Sequence, residues 1–293
     1  MNVSSWLKTA AKEIDRLDAE LILAHAMGVE RVYLHAHSER ELTLAELSCA
    51  SDGLLRRQKH EPVAYIIGSK GFYGHTFQVS PAVLIPRPET ETLVSLVKSY
   101  LTSSHLLPDG VSIVDVGTGS GCIAISLALE LPAITNIFAT DISAKALECA
   151  KYNAAQLGVS NIRLIKSDLL SSHAIKHQTF DVIVANLPYV DHTWPWLSPE
   201  LKYEPKLSLY AKDHGLYLIK RLIRQAPKHL KPAGALIIEA NISQHQDIID
   251  YAINEVGLIL DDREYLKSDV QDKNQVLSLA LCLGPQQIAI ESD

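Results

Sequence analysis

The first 55 residues alternate apolar and polar positions with the spacing of amphipathic helices. Apolar residues recur three and four positions apart from Trp6 to about Leu55. Gly28 interrupts this pattern, and Thr43 with Glu46 three positions later has the form of a capping box at a helix start. The pattern predicts a small helical domain over residues 1–70.

The pattern changes at Gly68, where aromatic and β-branched residues replace the helical spacing. In the run GFYGHTFQVSPAVLIPRPET, Phe72, Phe77 and Val79 are separated by polar residues, and several prolines follow. Alternation of this kind, ended by proline, is typical of a hairpin or an extended segment. We therefore predict a β-hairpin and linker over residues 71–90.

Beyond Leu107 the chain contains short apolar runs, with helical segments between the earlier ones. The predicted strands are Ser112–Val116, Ile137–Ala139, Ile162–Ile165, Val182–Ala185, Ala235–Ile238, Leu258–Leu266 and Val276–Leu283. Wholly apolar strands alternating with helices indicate an α/β domain with a parallel sheet covered on both faces. The last two strands have no helix between them, so they are predicted to form an antiparallel hairpin at the sheet edge. This domain is assigned residues 91–293.

Composition narrows the possible functions. A net charge of -7 over 293 residues does not supply the broad basic face of most nucleic-acid-binding proteins, which favours a protein or small-molecule ligand. No run approaches the roughly 20 apolar residues of a membrane span, and the amino terminus lacks a signal-peptide pattern, so a cytoplasmic protein is expected. The four cysteines form no CxxC pair, so neither a metal site nor disulfides are predicted.

A glycine-rich run follows the first predicted strand of the α/β domain. It reads DVGTGSG, and its predicted ligand-binding residues are Gly117, Thr118, Gly119, Ser120 and Gly121. Such a turn lets a ligand approach the backbone at a helix N-terminus. A dinucleotide-binding GxGxxG motif would need glycine at Cys122, and the Lys-Ser/Thr pair of a phosphate-binding P-loop is absent. A tight turn without any ligand remains an equally good interpretation of this loop alone.

Acidic residues end the next two predicted strands. Asp141 could accept hydrogen bonds from both hydroxyls of a ribose, or it could cap the helix that begins near Ser143. Asp168 could accept the exocyclic amine of an adenine, with Leu169 against the ring, or it could be an ordinary turn residue. Three such strand ends in succession favour a nucleoside site.

These residues resemble the class I S-adenosylmethionine-dependent methyltransferases. DVGTGSG matches the loop after their first strand, Asp141 matches their second-strand acid, and Asn186-Leu187-Pro188-Tyr189 is similar to the (N/D)PPY motif. That motif marks enzymes that methylate an amino nitrogen conjugated to a planar group. The resemblance implies a Rossmann-like, mostly parallel seven-stranded sheet and S-adenosylmethionine as cofactor.

Further motifs resemble the release factor glutamine methyltransferase family, PrmC or HemK. They are IPRPETE at 85–91, DAELILAHAMGVER at 18–31 and YEP at 203–205, so the resemblance covers essentially the whole chain. It implies transfer of a methyl group to the N5 amide of a GGQ-type glutamine in a peptide chain release factor, with the helical domain helping to dock that protein. The chain departs from the family at Leu187, where proline is usual, and at 207–211.

The acceptor motif has a chemical rationale. A glutamine amide is a poor nucleophile because its nitrogen lone pair is delocalised into the carbonyl. Asn186, through Oδ1, and Leu187, through its carbonyl, can each accept one amide N–H, which stabilises the positive charge that develops on nitrogen. Pro188 restricts Leu187 to an extended conformation, and Tyr189 offers a flat face to the planar amide.

Other assignments stay open at the level of sequence. Arg87 and Glu89 either grip the substrate or, with Glu91, tie the linker to the rest of the protein by ion pairs. The Trp194 and Trp196 pair forms a substrate rim or simply packs. Methylation of a ribosomal protein glutamine, methylation of adenine in DNA or RNA, and a non-catalytic binding module are the competing functions. A monomer is expected.

Overall fold

The computed structural model describes residues 1–104, 110–195, 197–260 and 278–285. Its helices are α1 Val3–Ala10, α2 Arg16–Met27, α3 Arg31–Ala36, α4 Leu44–Gln58, α5 Val63–Ile67, α6 Glu91–Ser103, α7 Cys122–Glu130, α8 Ala144–Gln156, α9 Lys206–Leu209, α10 Tyr217–Gln225 and α11 His245–Tyr251. Its strands are β1 Ser69–Phe72, β2 His75–Gln78, β3 Ser112–Val116, β4 Asn136–Asp141, β5 Ile162–Lys166, β6 Phe180–Ala185, β7 Leu230–Asn241, β8 Leu258–Leu260 and β9 Ser278–Pro285. Trp196 and the predicted strand residues 261–266 and 276–277 lie outside the described part.

Helices α1–α5 pack their apolar faces together at the start of the chain. The capping box predicted at Thr43 is confirmed, because Glu46 N–H donates to the Thr43 hydroxyl while the Glu46 carboxylate accepts from Thr43 N–H. Gly28 ends α2 in the left-handed conformation with φ 65°, a conformation that glycine adopts without strain. Buried Trp6 and Leu23 contribute to the core of this helical region.

The predicted hairpin is present as β1 and β2, which pair antiparallel from Ser69–Gln78 to Phe72–His75. An extended segment follows and ends in a short 3-10 helix, Pro88–Thr90, directly before α6. The division of the chain at residues 70 and 90 into docking, linker and methyltransferase domains stays a prediction.

The main sheet has seven strands in the order β5-β4-β3-β6-β7-β9-β8. Strands β3 to β7 are parallel, and β9 pairs antiparallel with both β7 and β8. The predicted mostly parallel sheet with an antiparallel edge is therefore confirmed. Every residue of β3 and β6 is buried, because α6 and α7 cover one face and α10 and α11 cover the other.

This topology brings several loops together. Strands β3, β4, β5 and β6 are neighbouring and parallel, so their carboxyl ends open at one edge of the sheet. The glycine loop, Asp141, Asp168 and Asn186 all lie at or shortly after these ends. The sheet therefore places the site residues that were predicted from the sequence in one crevice.

The helical region is attached to the α/β domain by polar contacts. Arg57 forms ion pairs with Asp18 of α2 at 2.6 Å and with Glu200 at 2.7 Å. The Tyr203 hydroxyl donates to the Lys59 carbonyl at 2.8 Å. Residues 199–205 thus lie against the end of α4.

Across the described residues, none of the helices combines the length and the apolar character needed to cross a bilayer.

Candidate active site

The glycine loop is held against the end of β4 by its own backbone. Gly117 N–H and Thr118 N–H both donate to the Thr140 carbonyl, at 2.8 and 2.9 Å. Gly117 has φ 79°, and a Cβ built on it would lie 3.0 Å from a methyl group of Leu187. Glycine is required there both for the backbone conformation and for the close approach of the acceptor loop.

Asp141 bridges the end of β4 and the glycine loop. One carboxylate oxygen accepts from Gly119 N–H at 2.9 Å and the other accepts from Ser143 N–H at 2.8 Å. Burial raises the pKa of Asp141, while these two N–H bonds act in the opposite direction. The residue that caps α8 is Ser143, whose hydroxyl accepts from Ala146 N–H, so a helix cap does not account for Asp141.

The end of β5 contributes Asp168 and Leu169, and the structure adds a partner that the sequence did not indicate. The Arg221 guanidinium of α10 forms an ion pair with Asp168 at 2.8 Å. Leu169 is buried with φ 52°, a left-handed conformation that is uncommon for leucine. All three residues line the same cavity.

Asn186 follows β6 and is oriented by a residue of the linker. Its side-chain Nδ2 donates to the Thr90 hydroxyl at 2.9 Å, and Thr90 is buried. Leu187 is buried beside it, and both residues and Pro188 line the cavity. Thr90 lies inside the IPRPETE motif, but spacing alone gave no reason to select it from that motif.

Tyr189 has a different environment. Its hydroxyl donates to Glu239 of β7 at 3.1 Å, and Tyr189 is not among the described residues that line the cavity. Its carbonyl accepts from the side-chain amide of Gln244 at 2.9 Å, and the same amide donates to the His214 carbonyl at 2.8 Å. Buried Gln244 therefore joins the acceptor loop to the turn at 213–215.

The linker residues Arg87, Glu89 and Glu91 have different surroundings. Arg87 forms an ion pair with buried Glu204 and also lines the cavity. The other Glu204 oxygen accepts from Ile85 N–H at 3.1 Å. Glu91 accepts from Tyr73 N–H at 2.8 Å, and Glu89 is exposed outside the cavity lining.

One cavity brings most of the predicted site residues together. Its lining includes Arg87, Gly117, Thr118, Gly119, Ser120, Asp141, Asp168, Leu169, Asn186, Leu187 and Pro188. Ser167 and Ile142 at the strand ends line it as well, whereas Gly121, Glu89, Tyr189 and Trp194 do not. Glycines without side chains, a carboxylate and an apolar wall are the groups that fit a nucleoside carrying an amino-acid tail.

Comparison with known proteins agrees with this arrangement. The family described as the PrmC N-terminal domain matches residues 2–68, and a methyltransferase domain family matches residues 107–281. The release factor glutamine methyltransferase of Chlorobaculum tepidum is 43% identical over 78% of this chain and 80% of its own length. That of Koribacter versatilis is 42% identical over 81% of this chain and 83% of its own length.

The chain is also similar to longer methyltransferases and to a solved structure. The bifunctional methyltransferase of Rickettsia bellii is 36% identical over 91% of this chain, which spans only 51% of that protein. The hMettl16 catalytic domain, solved with an RNA hairpin, is 17% identical with a TM-score of 0.53, and the match covers 82% of this chain and 81% of that one. This likeness shows the fold alone. The identity and coverage of the relatives show that the chain belongs to the release factor glutamine methyltransferase family.

Proposed function

We propose that the protein transfers the methyl group of S-adenosylmethionine to the side-chain N5 of a glutamine in a peptide chain release factor, leaving S-adenosylhomocysteine. The observation that carries this proposal is the position of Asn186 and Leu187 in the same cavity as the glycine loop. Acceptor and donor sites in one cavity are what a direct transfer between two substrates requires.

The cofactor would occupy the part of the cavity lined by the strand ends. S-adenosylmethionine supplies a methyl group on a positively charged sulfur, which makes that carbon reactive toward a nitrogen lone pair. Asp141 would accept hydrogen bonds from the ribose hydroxyls, and the apolar wall with Leu169 would contact the base. Asp168, which forms an ion pair with Arg221, would accept a hydrogen bond from the exocyclic amine of that base. Gly117 and Gly119 would leave room for the amino-acid end.

The acceptor glutamine would bind through the loop after β6. The oxygen of the Asn186 side chain and the Leu187 carbonyl would accept the two amide N–H groups, so the nitrogen lone pair is directed at the methyl carbon. No base has to remove a proton before attack, because the positive charge that develops on nitrogen increases the acidity of those protons. Orientation of the two substrates can contribute about 7–11 kcal/mol to such a reaction.

Arg87 and Tyr189 have roles that their contacts suggest. Arg87 would hold the linker to Glu204 and border the substrate opening at the same time. The hydroxyl contact of Tyr189 with Glu239 favours support of the acceptor loop over the flat packing surface expected from the motif. Glu89, which is exposed, is assigned to the protein-substrate surface and not to the reacting amide.

The test is transfer of labelled methyl from S-adenosylmethionine to purified acceptors. Release factor, the same factor with its GGQ glutamine replaced by alanine, ribosomal proteins, DNA and RNA are each incubated with the protein. We expect label only on the release factor that retains its GGQ glutamine. Label on a ribosomal protein or on nucleic acid, with none on the release factor, would reject the proposed substrate.

A further inference from the structure

We propose that Thr90 is a positioning residue for methyl transfer, so that the linker completes the active site of the α/β domain. This inference rests on the proposed function, because it assigns Thr90 a role through the acceptor residue Asn186. Thr90 precedes α6, and Asn186 follows β6, 96 residues later in the chain.

The geometry is specific to the side-chain hydroxyl. Thr90 Oγ1 lies 2.9 Å from Asn186 Nδ2, and only 2% of the threonine is exposed. Thr90 also lines the cavity between the glycine loop and the acceptor loop. A buried hydroxyl at hydrogen-bond distance fixes the amide with little competition from water.

Orientation of this amide decides whether the glutamine can bind. The two ends of an asparagine side chain have nearly the same shape, but one accepts hydrogen bonds and the other donates them. A substrate amide nitrogen that presents N–H groups needs the oxygen end. The bond to Thr90 uses the nitrogen end of Asn186, which leaves Oδ1 as the end available to the substrate.

The position of Thr90 is itself fixed by contacts of its own segment. Thr90 N–H donates to the Arg87 carbonyl at 3.1 Å, which closes the 3-10 turn, and Arg87 forms an ion pair with Glu204. Glu204 also accepts from Ile85 N–H. The segment that carries Thr90 is thus attached to the YEP sequence at 203–205, and the linker has little freedom to move away from Asn186.

The experiment compares Thr90→Val, which keeps the shape and removes the hydroxyl, with Thr90→Ser, which keeps the hydroxyl. Thr102→Val, an exposed position in α6, is the matched control. With release factor as substrate, we expect Thr90→Val to lower kcat about 10–100-fold while the S-adenosylmethionine affinity and the melting temperature stay near wild type. Thr90→Ser is expected to retain kcat within about threefold, and Thr102→Val to match wild type.

A second measurement needs no turnover. The side-chain NH2 signal of Asn186 is assigned in an NMR spectrum by its loss in Asn186→Ala, and its shift is expected to change in Thr90→Val but not in Thr102→Val. An unchanged kcat or an unchanged Asn186 signal in Thr90→Val would overturn the inference. A Thr90→Val protein whose melting temperature and cofactor affinity both fall along with kcat would overturn it as well, because the residue would then be needed for the fold in general. A wild-type protein that methylates no release factor defeats the proposed function, and the NMR result still decides the role of Thr90.

Discussion

At the scale of single residues, Asn186 is the group on which the proposed chemistry depends most directly. Asn186→Ala removes one of two acceptors for the substrate amide, so we expect kcat to fall by at least about 100-fold, the loss typical when one preorganised group that stabilises developing charge is removed. Cofactor affinity should remain close to wild type, since the glycine loop and Asp141 are unchanged. Methyl-transfer kinetics and calorimetric titration with S-adenosylmethionine provide the two readouts.

The control for this substitution is Asn254→Ala, an exposed asparagine in the segment Ala252–Val256. It should leave both kcat and cofactor affinity unchanged. Retention of wild-type turnover by Asn186→Ala would show that the amide nitrogen is positioned by other groups, and the role given to the loop would have to be abandoned.

The sequence was informative about residues whose type is unusual for their place in the chain. The glycine loop at 117–121, the acid that ends β4 and the asparagine after β6 match methyltransferase motifs in type and spacing, so they could be selected. Thr90, Arg221 and Gln244 could not, because threonine, arginine and glutamine are ordinary at those positions. Their importance comes from contacts with Asn186, Asp168 and the Tyr189 carbonyl, and the separations are 96, 53 and 55 residues.

Asp115, a fully buried residue of β3, leads to a prediction about pH. Burial raises its pKa to about 7, although the Thr118 hydroxyl and Ala124 N–H act in the opposite direction. A carboxyl with a higher pKa in the folded state binds more protons when folded, so the free energy of unfolding should decrease as pH rises from about 4 toward 7 and slightly beyond. Urea denaturation between pH 5 and 8 measures this loss.

Asp115→Asn removes the titrating group and keeps an oxygen that can accept from Thr118 and Ala124. Its free energy of unfolding should therefore depend less on pH than that of the wild type over the same interval. Parallel pH profiles for the two proteins would mean that Asp115 has the same pKa in the folded and unfolded states.

At the scale of elements, the parallel strands were predictable and the turn that contacts the acceptor loop was not. Strands β3 and β6 are buried on both faces, so each is a mostly apolar run that stands out in the sequence despite the buried Asp115 and Asp181. The turn at 213–215 contains three consecutive left-handed residues, with φ 58°, 51° and 87° for Asp213, His214 and Gly215. This conformation is stabilised by Gln244 from a distant element, so local composition could not reveal it.

Gly215 should be essential to this turn and to the acceptor loop that it contacts. A Cβ at this position would lie 2.0 Å from the Tyr189 carbonyl oxygen, so either the turn or the loop must move. We expect Gly215→Ala to lower both the melting temperature and kcat. The free energy of unfolding should fall by more than the roughly 1–2 kcal/mol that a left-handed non-glycine residue costs.

Gly158→Ala separates the clash from the backbone strain. Gly158 also has a positive φ, 71°, but no atom lies within 4 Å of its added Cβ. This variant should show the smaller loss of stability expected from conformation alone, with normal kcat. Equal effects of the two substitutions in urea denaturation would refute the close approach of Gly215 to the acceptor loop.

At the scale of the whole molecule, the active site depends on parts of the chain that the sequence pattern separates. The pattern distinguishes helices before residue 70 from the α/β domain after residue 91, because the hydrophobic period changes between them. It contains no information about how the two parts face each other. The structure shows contacts from both the helical region and the linker to residues 199–205, through Arg57 with Glu200 and Arg87 with Glu204.

Arg57 is the residue through which this attachment can be tested. Its guanidinium forms ion pairs with Asp18 and Glu200 and is only 18% exposed, so both pairs are partly shielded from water. Arg57→Met keeps the apolar stem and removes the charge, and we expect a loss of about 1–3 kcal/mol in the free energy of unfolding, between the values for exposed and buried pairs. Arg56→Met is the control, because Arg56 pairs with Glu61 within the helical region.

The two arginine variants should differ in a second way. Loss of the Glu200 pair removes one of the contacts that hold residues 199–205, so limited proteolysis should cut near this segment faster in Arg57→Met than in Arg56→Met. Cofactor affinity should stay normal in both, because Arg57 does not line the cavity. If Arg57→Met increases proteolysis there without changing turnover on release factor, the helical region stabilises the fold. If turnover also falls while cofactor affinity stays normal, attachment of that region is needed to present the protein substrate to Asn186.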